Sequence, residues 1–141
     1  MKKYVIAGAP VSLKRPRFST ITKSVYNSQK NQMLIMSINL ASQHDKDPLF
    51  EGPVHLDITF FMPIPVKTPR KRANEMLDAP CFFKPDLSNL IKFLEDLGSG
   101  VLYKDDAIIA SVSAKKVYSI NPRTEFSISS LSENKSGTKK N

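Results

Sequence analysis

The most regular pattern in the chain is the alternation of Val54, Leu56, Ile58, Phe60 and Met62 with His55, Asp57, Thr59 and Phe61. A period of two with one apolar side predicts a half-buried β-strand. A second short strand is expected over residues 3–7, where Tyr4, Val5 and Ile6 run into a turn at Gly8 and Pro10. Residues 28–43 hold neither proline nor glycine. There Met33, Met36, Leu40 and Ala41, joined by Leu34 and Ile38, form the broad apolar face of a helix, with Ser28 as its N-cap. After Pro85, the spacing of Leu87, Leu90, Ile91, Leu94 and Leu97 is that of an amphipathic helix, stopped by Gly98 and Gly100. Its polar side carries Ser88, Asn89, Lys92, Glu95 and Asp96. Ile108, Ala110, Val112 and Ala114 predict a strand that continues to Tyr118. Asn121 and Pro122 turn the chain, and 124–131 returns with Phe126 and Ile128 inward, as a C-terminal hairpin. The elements sum to an α+β chain forming one domain over 1–131, with a polar, disordered tail at 132–141.

Between the central strand and the second helix the pattern breaks. Residues 63–85 hold five of the ten prolines and the basic run Lys67, Arg70, Lys71 and Arg72. Proline at this density forbids a regular central strand. A flexible basic loop with one helical turn over 73–77 is expected, either solvated or clamping phosphates once a polyanion arrives. Phe82 and Phe83 end it. In an extended segment one of them faces the core, and an exposed one can wedge between bases. Nearer the N-terminus, Lys14, Arg15 and Arg17 flank Pro16 and Phe18, a loop suited to a phosphate backbone and a stacking base, or a solvated loop with Phe18 tucked inward.

At 141 residues the chain is long enough for one unstapled core. A formal charge of +8 and an isoelectric point near 9.6 favour a polyanionic partner. The single cysteine, Cys81, excludes an intrachain disulfide and a multi-cysteine zinc site. No apolar run reaches membrane-spanning length, and the apolar part of the N-terminus is too short for a signal peptide, so a cytoplasmic protein is expected. His44 and His55 have no ligand-like spacing and read as surface or strand-face residues.

Against the basic background, Asp86 to Asp106 holds five acids and only two bases, Lys92 and Lys104, a net of −3 that leaves +11 for the rest. Like-charge crowding of this kind is relieved by a cation or a proton. If the second helix and the following strand pack side by side, Asp86 and the Asp105–Asp106 pair can hold Mg²⁺, with Lys92 beside a phosphate. The plainer account has Asp86 as an N-cap, Lys92 and Asp96 as an i, i+4 surface pair, and Asp105 and Asp106 as a turn.

The run Lys84-Pro-Asp-Leu-Ser-Asn-Leu-Ile-Lys92 followed by Tyr103-Lys-Asp-Asp106 resembles the RusA family of Holliday-junction resolvases, as do Pro10-Val-Ser-Leu-Lys-Arg-Pro-Arg-Phe18, the Pro-rich connector and the order of elements. The resemblance implies a small mixed sheet of about four strands against two main helices, and a homodimer that cuts four-way DNA junctions with Mg²⁺ or Mn²⁺. It implies a bacterial or phage origin. It makes Asp86, Lys92 and Asp106 the catalytic residues, with Asp86, Asp106, Asp105 and Asp96 around the metal. Lys14, Arg15, Arg17, Lys67, Arg70, Lys71, Arg72 and Lys84 become DNA contacts, with Phe82 and Phe83 the candidate wedge. Ser88 departs from the family pattern, which has an aspartate there. A hydroxyl carries no charge, so weaker metal affinity is expected. A second reading, a branched-DNA binder with weakened catalysis, follows from that departure, and a general basic nucleic-acid module is a third.

Overall fold

The computed structural model describes residues 1–13, 17–18, 25–26 and 29–131. In chain order these form β1 (Lys2–Ala7), the short strands β2 (Arg17–Phe18) and β3 (Val25–Tyr26), α1 (Lys30–His44), β4 (Val54–Pro63), α2 (Arg70–Met76), α3 (Leu87–Gly98), β5 (Ile109–Ser119) and β6 (Arg123–Ser130). A 3₁₀ turn at Asp106–Ile108 leads into β5. Lys14, Arg15, the proposed cap Ser28 and the tail 132–141 lie outside the described residues, and of Arg17 only the backbone pairing of β2 with β3 is described.

The strand with the strongest alternation is also the most interior. Val54, Leu56, Ile58, Phe60 and Met62 are all buried, and β4 is paired on both edges in a sheet of order β1-β6-β4-β5. β6 runs antiparallel to β1 and β4, whereas β5 runs parallel to β4. The expected C-terminal hairpin is therefore not formed. β6 carries the buried Thr124, Phe126 and Ile128 and takes an interior place, while β5 holds Lys115 and Lys116 and takes the edge, where charges are tolerated. The Asn121–Pro122 turn also lacks the positive-φ pair of a tight hairpin.

A parallel pair needs a long crossover, and residues 64–108 supply it with α2 and α3. α3 buries Leu90, Phe93, Leu94 and Leu97 against the sheet face formed by Tyr4, Ile6, β4, Phe126 and Ile128. The result is the expected mixed α+β fold, with two main helices and a shorter third.

Two expectations need correction. First, α1 turns only part of its apolar surface inward: Leu40 is buried and Met33 and Met36 partly so, but Leu34, Ile35 and Ile38 are 58 %, 68 % and 63 % exposed. The inward stripe ends on His44, which is buried rather than superficial. Its Nε2–H donates to the Pro48 carbonyl (3.0 Å), which leaves Nδ1 to accept from the Tyr4 hydroxyl (2.7 Å). His55 is a strand-face residue, as expected, against Ser111 (2.6 Å). Second, the Pro-rich stretch 63–85 carries α2, starting at Arg70, and is then laid along the free edge of β5. Leu77 and Pro80 bridge to Tyr118 and Val117, and the Cys81 N–H donates to the Lys116 carbonyl (3.0 Å). Ile64, Met76 and Cys81 pin it to the core.

Candidate active site

Asp86 occupies the N-cap position of α3 in extended backbone conformation, yet its side chain caps nothing. Its carbonyl accepts from Asn89 and Leu90 N–H (3.1 and 3.2 Å), so the helix starts without the carboxylate. The carboxylate instead accepts from Lys84 Nζ at 3.1 Å, in an exposed pair. From there a polar stripe runs down α3 through the exposed Ser88 and Lys92 to Glu95 and Asp96. Lys92 takes no part in the ion pairs formed among the described residues, so the i, i+4 pair with Asp96 is absent among them.

The far end of the stripe is crowded. Burial, then the charges of Asp106 and Asp96, push Glu95 above the usual carboxylate range, against the pull of Lys92. Asp106 is raised chiefly by its hydrogen bond with the Asp105 carboxyl, then by burial and by the charges of Asp105 and Asp96. Asp105 also caps the 3₁₀ turn, accepting from Ala107 N–H at 3.4 Å. Beneath this group lies Tyr103, whose buried hydroxyl donates to the Glu95 carbonyl at 2.6 Å. Burial, followed by the three charges of Glu95, Asp106 and Asp96, keeps that phenol protonated far above neutral pH.

At the near end of α3, Phe82 and Phe83 are both on the surface, 80 % and 61 % exposed, with ring centroids 4.5 Å apart and stacked. The expected division into one core and one surface ring fails because Cys81 takes the core position and the chain bends over Phe83–Pro85, which removes the alternation of an extended segment. Lys67, Arg70, Lys71, Arg72 and Lys84 are exposed, Arg72 pairing with Glu75 at 3.5 Å. The described start of the N-terminal basic loop reaches this end too, with Leu13 N–H donating to the Asn89 carbonyl at 3.0 Å.

The profile of the family described as Endodeoxyribonuclease RusA matches residues 7–129 of this chain. The chain belongs to the RusA family. It is also 31 % identical over 138 residues to YqaN, an uncharacterised protein of Bacillus subtilis (strain 168), across 92 % of this chain and 96 % of the relative. RusA membership implies endodeoxyribonuclease activity on DNA, and no helix of the described residues is long and apolar enough to cross a membrane.

For a RusA chain the distribution of acids is the informative result. Of the expected metal set Asp86, Asp96, Asp105 and Asp106, the last three share one electrostatic neighbourhood, and Glu95 joins them. Asp86 does not. Ten helical positions separate it from Asp96, about 15 Å along the axis. Among the described residues no three acidic, histidine or cysteine side chains stand close enough together to hold an ion as placed. Glu95 is the residue the sequence underweights: it enters there only as one polar position of the second helix, and its signal is its place on the same helical stripe as Lys92.

Proposed function

We propose that this protein is a Mg²⁺- or Mn²⁺-dependent, structure-selective endonuclease that resolves four-way Holliday junctions by paired nicks, acting as a homodimer in recombination and repair in the bacterial cytoplasm. The observation that carries the reading is the carboxylate group Glu95, Asp96, Asp105 and Asp106, in which Glu95 and Asp106 are raised by the neighbouring acids, in a chain of net charge +8. Oxygen-only donors under mutual repulsion suit a hard divalent cation. Asp105 and Asp106 would hold it through one or two carboxylates, with waters and phosphate oxygens completing its shell. When bound, such an ion supplies an activated water and charge neutralisation at the leaving oxygen. Lys92, exposed on the same stripe, meets the charge of the scissile phosphate. Lys67, Arg70, Lys71, Arg72 and Lys84, with Lys14, Arg15 and Arg17, grip the arms through phosphates, and the exposed Phe82–Phe83 stack enters the crossover.

Two symmetric nicks call for two active sites. The exposed face of α1 supports a second copy as partner: Leu34, Ile35 and Ile38 are uncovered, and no charged residue occurs from Asn31 to Gln43. That face borders a cavity of about 410 Å³ that also includes Asp96 and Ser99.

Ser88 favours the alternative, a branched-DNA-binding protein with weakened catalysis, because it withholds one carboxylate. A single assay separates the two. A synthetic four-way junction is incubated with the protein in Mg²⁺ and in Mn²⁺. Paired nicks that vanish in Asp106→Asn support the nuclease. Tight junction binding without nicks in either metal supports the binder, and equal binding to linear duplex leaves only a general basic module.

A further inference from the structure

Lys116 faces the helical layer of the sheet. β5 turns Ser111, Ser113 and Lys115 to solvent and Val112, Ala114 and Tyr118 toward the core, and Lys116 falls in register with the second set. Its ammonium takes part in none of the ion pairs formed among the described residues. It donates instead to two backbone carbonyls, those of Phe83 and Pro85, at 2.7 Å each. The pairing that joins residues 77–81 to the edge of β5 is thereby carried on by a side chain across the bend that follows. A backbone ladder fails there, because Pro85 has no N–H to offer and its carbonyl still needs a donor.

We propose that Lys116 is a positioning residue that fixes the segment entering α3. What it holds is specific. Pro85 immediately precedes Asp86, Lys84 between the two anchored carbonyls reaches the Asp86 carboxylate, and Phe83 is half of the exposed aromatic stack. One ammonium therefore sets the place of Asp86 and of the stack relative to the sheet edge. An ammonium offers three donors, so two carbonyls leave it one in reserve; an apolar isostere leaves both carbonyls bare. The consequence for cleavage rests on the nuclease reading above, whereas the anchoring itself does not.

Lys116→Met and Lys116→Arg are compared with wild type in amide hydrogen exchange over residues 82–90 and in single-turnover cleavage of a four-way junction. Lys116→Met is expected to exchange faster over 82–90 while β4 and β6 keep their protection. Its cleavage rate should fall about 10- to 100-fold, as expected for a misplaced group, with the junction Kd within about twofold. Lys116→Arg, which keeps donors for both carbonyls, should recover most of the rate. Unchanged exchange over 82–90 overturns the proposal. So does a defect that lies wholly in Kd and its salt dependence, since Lys116 would then be a phosphate contact. Lys116→Gln, with a donor retained, replaces the methionine variant if that one does not fold. If wild type nicks no junction in either metal, the nuclease reading falls, and the exchange comparison alone decides for or against the anchor.

Discussion

The hydroxyl of Tyr103 lies 2.7 Å from the point where a Cβ on Gly98 would stand. The last turn of α3 is thus closed over a buried phenol that also donates to the Glu95 carbonyl. Gly98→Ala should cost about 1–3 kcal/mol through overpacking, read by urea denaturation. Tyr103→Phe should cost about 1 kcal/mol through the lost hydrogen bond. The ring carbons Cζ and Cε2 stand 2.9 and 3.0 Å from the same point, so removing the hydroxyl relieves only part of the clash. Gly98→Ala should therefore stay destabilising in the Tyr103→Phe background, and a neutral Gly98→Ala there would mean that the ring does not press on this turn.

Asp106 is raised by its hydrogen bond with the Asp105 carboxyl, then by burial and by the charges of Asp105 and Asp96. Asp106→Asn should abolish nicking, and with it most of the rise in melting temperature that Mn²⁺ brings to wild type. Junction binding in EDTA should be kept or become tighter, because the variant removes a negative charge from the DNA-facing surface. Calorimetric titration of Mn²⁺ into both proteins is the check, and equal uptake would remove Asp106 from the metal set.

The raised acids make a signed prediction about pH. A carboxyl held above its unfolded-state value binds its proton more tightly in the folded protein, so its contribution to stability is present in acid and is lost as pH rises through the folded value. Glu95 and Asp106 both shift in this direction. A divalent ion removes the cost of ionising them, so the gain in melting temperature on adding Mg²⁺ should be clear at about pH 8 and nearly absent at about pH 4. The opposite order would mean that the ion binds elsewhere.

The apolar face of α1 should be an interface. Ile35→Asp combined with Ile38→Lys should leave the monomer folded, as judged by circular dichroism, because neither side chain is in the core. In sedimentation the mass should drop by about half, the change expected when an isologous dimer is broken. Paired nicking should be lost with it. A wild-type monomer at working concentration would refute the assignment.

Phe82 and Phe83 can be tested by where the DNA is already open. Replacing both by Ala should slow cleavage of a fully paired junction about tenfold or more, since a stacked base is worth about 1–3 kcal/mol. A junction with unpaired bases at the crossover should be cut at nearly the wild-type rate. Equal slowing on both substrates would mean that the rings bind rather than open the junction.

Much of this protein is determined by short-range pattern. The period-two run at Val54–Met62 and the 3.6-residue spacing from Leu87 to Leu97 define the central strand and the site helix, because alternation and helical spacing are set by neighbours in the chain. The acidic island, the basic background and the RusA motif are likewise sequence properties. Strand order was decided by the tertiary structure: β6 went between β1 and β4, not beside β5, because Phe126 and Ile128 need covering on the inner face while Lys115 and Lys116 need an edge. The same long-range burial sent Cys81 inward and left both phenylalanines outside, and it left Leu34, Ile35 and Ile38 largely exposed among the described residues. It also gathered Glu95 with Asp96, Asp105 and Asp106, and put Asp86 at the other end of the helix. A residue's periodicity tells which way it faces; only the packing of distant segments tells what it meets there.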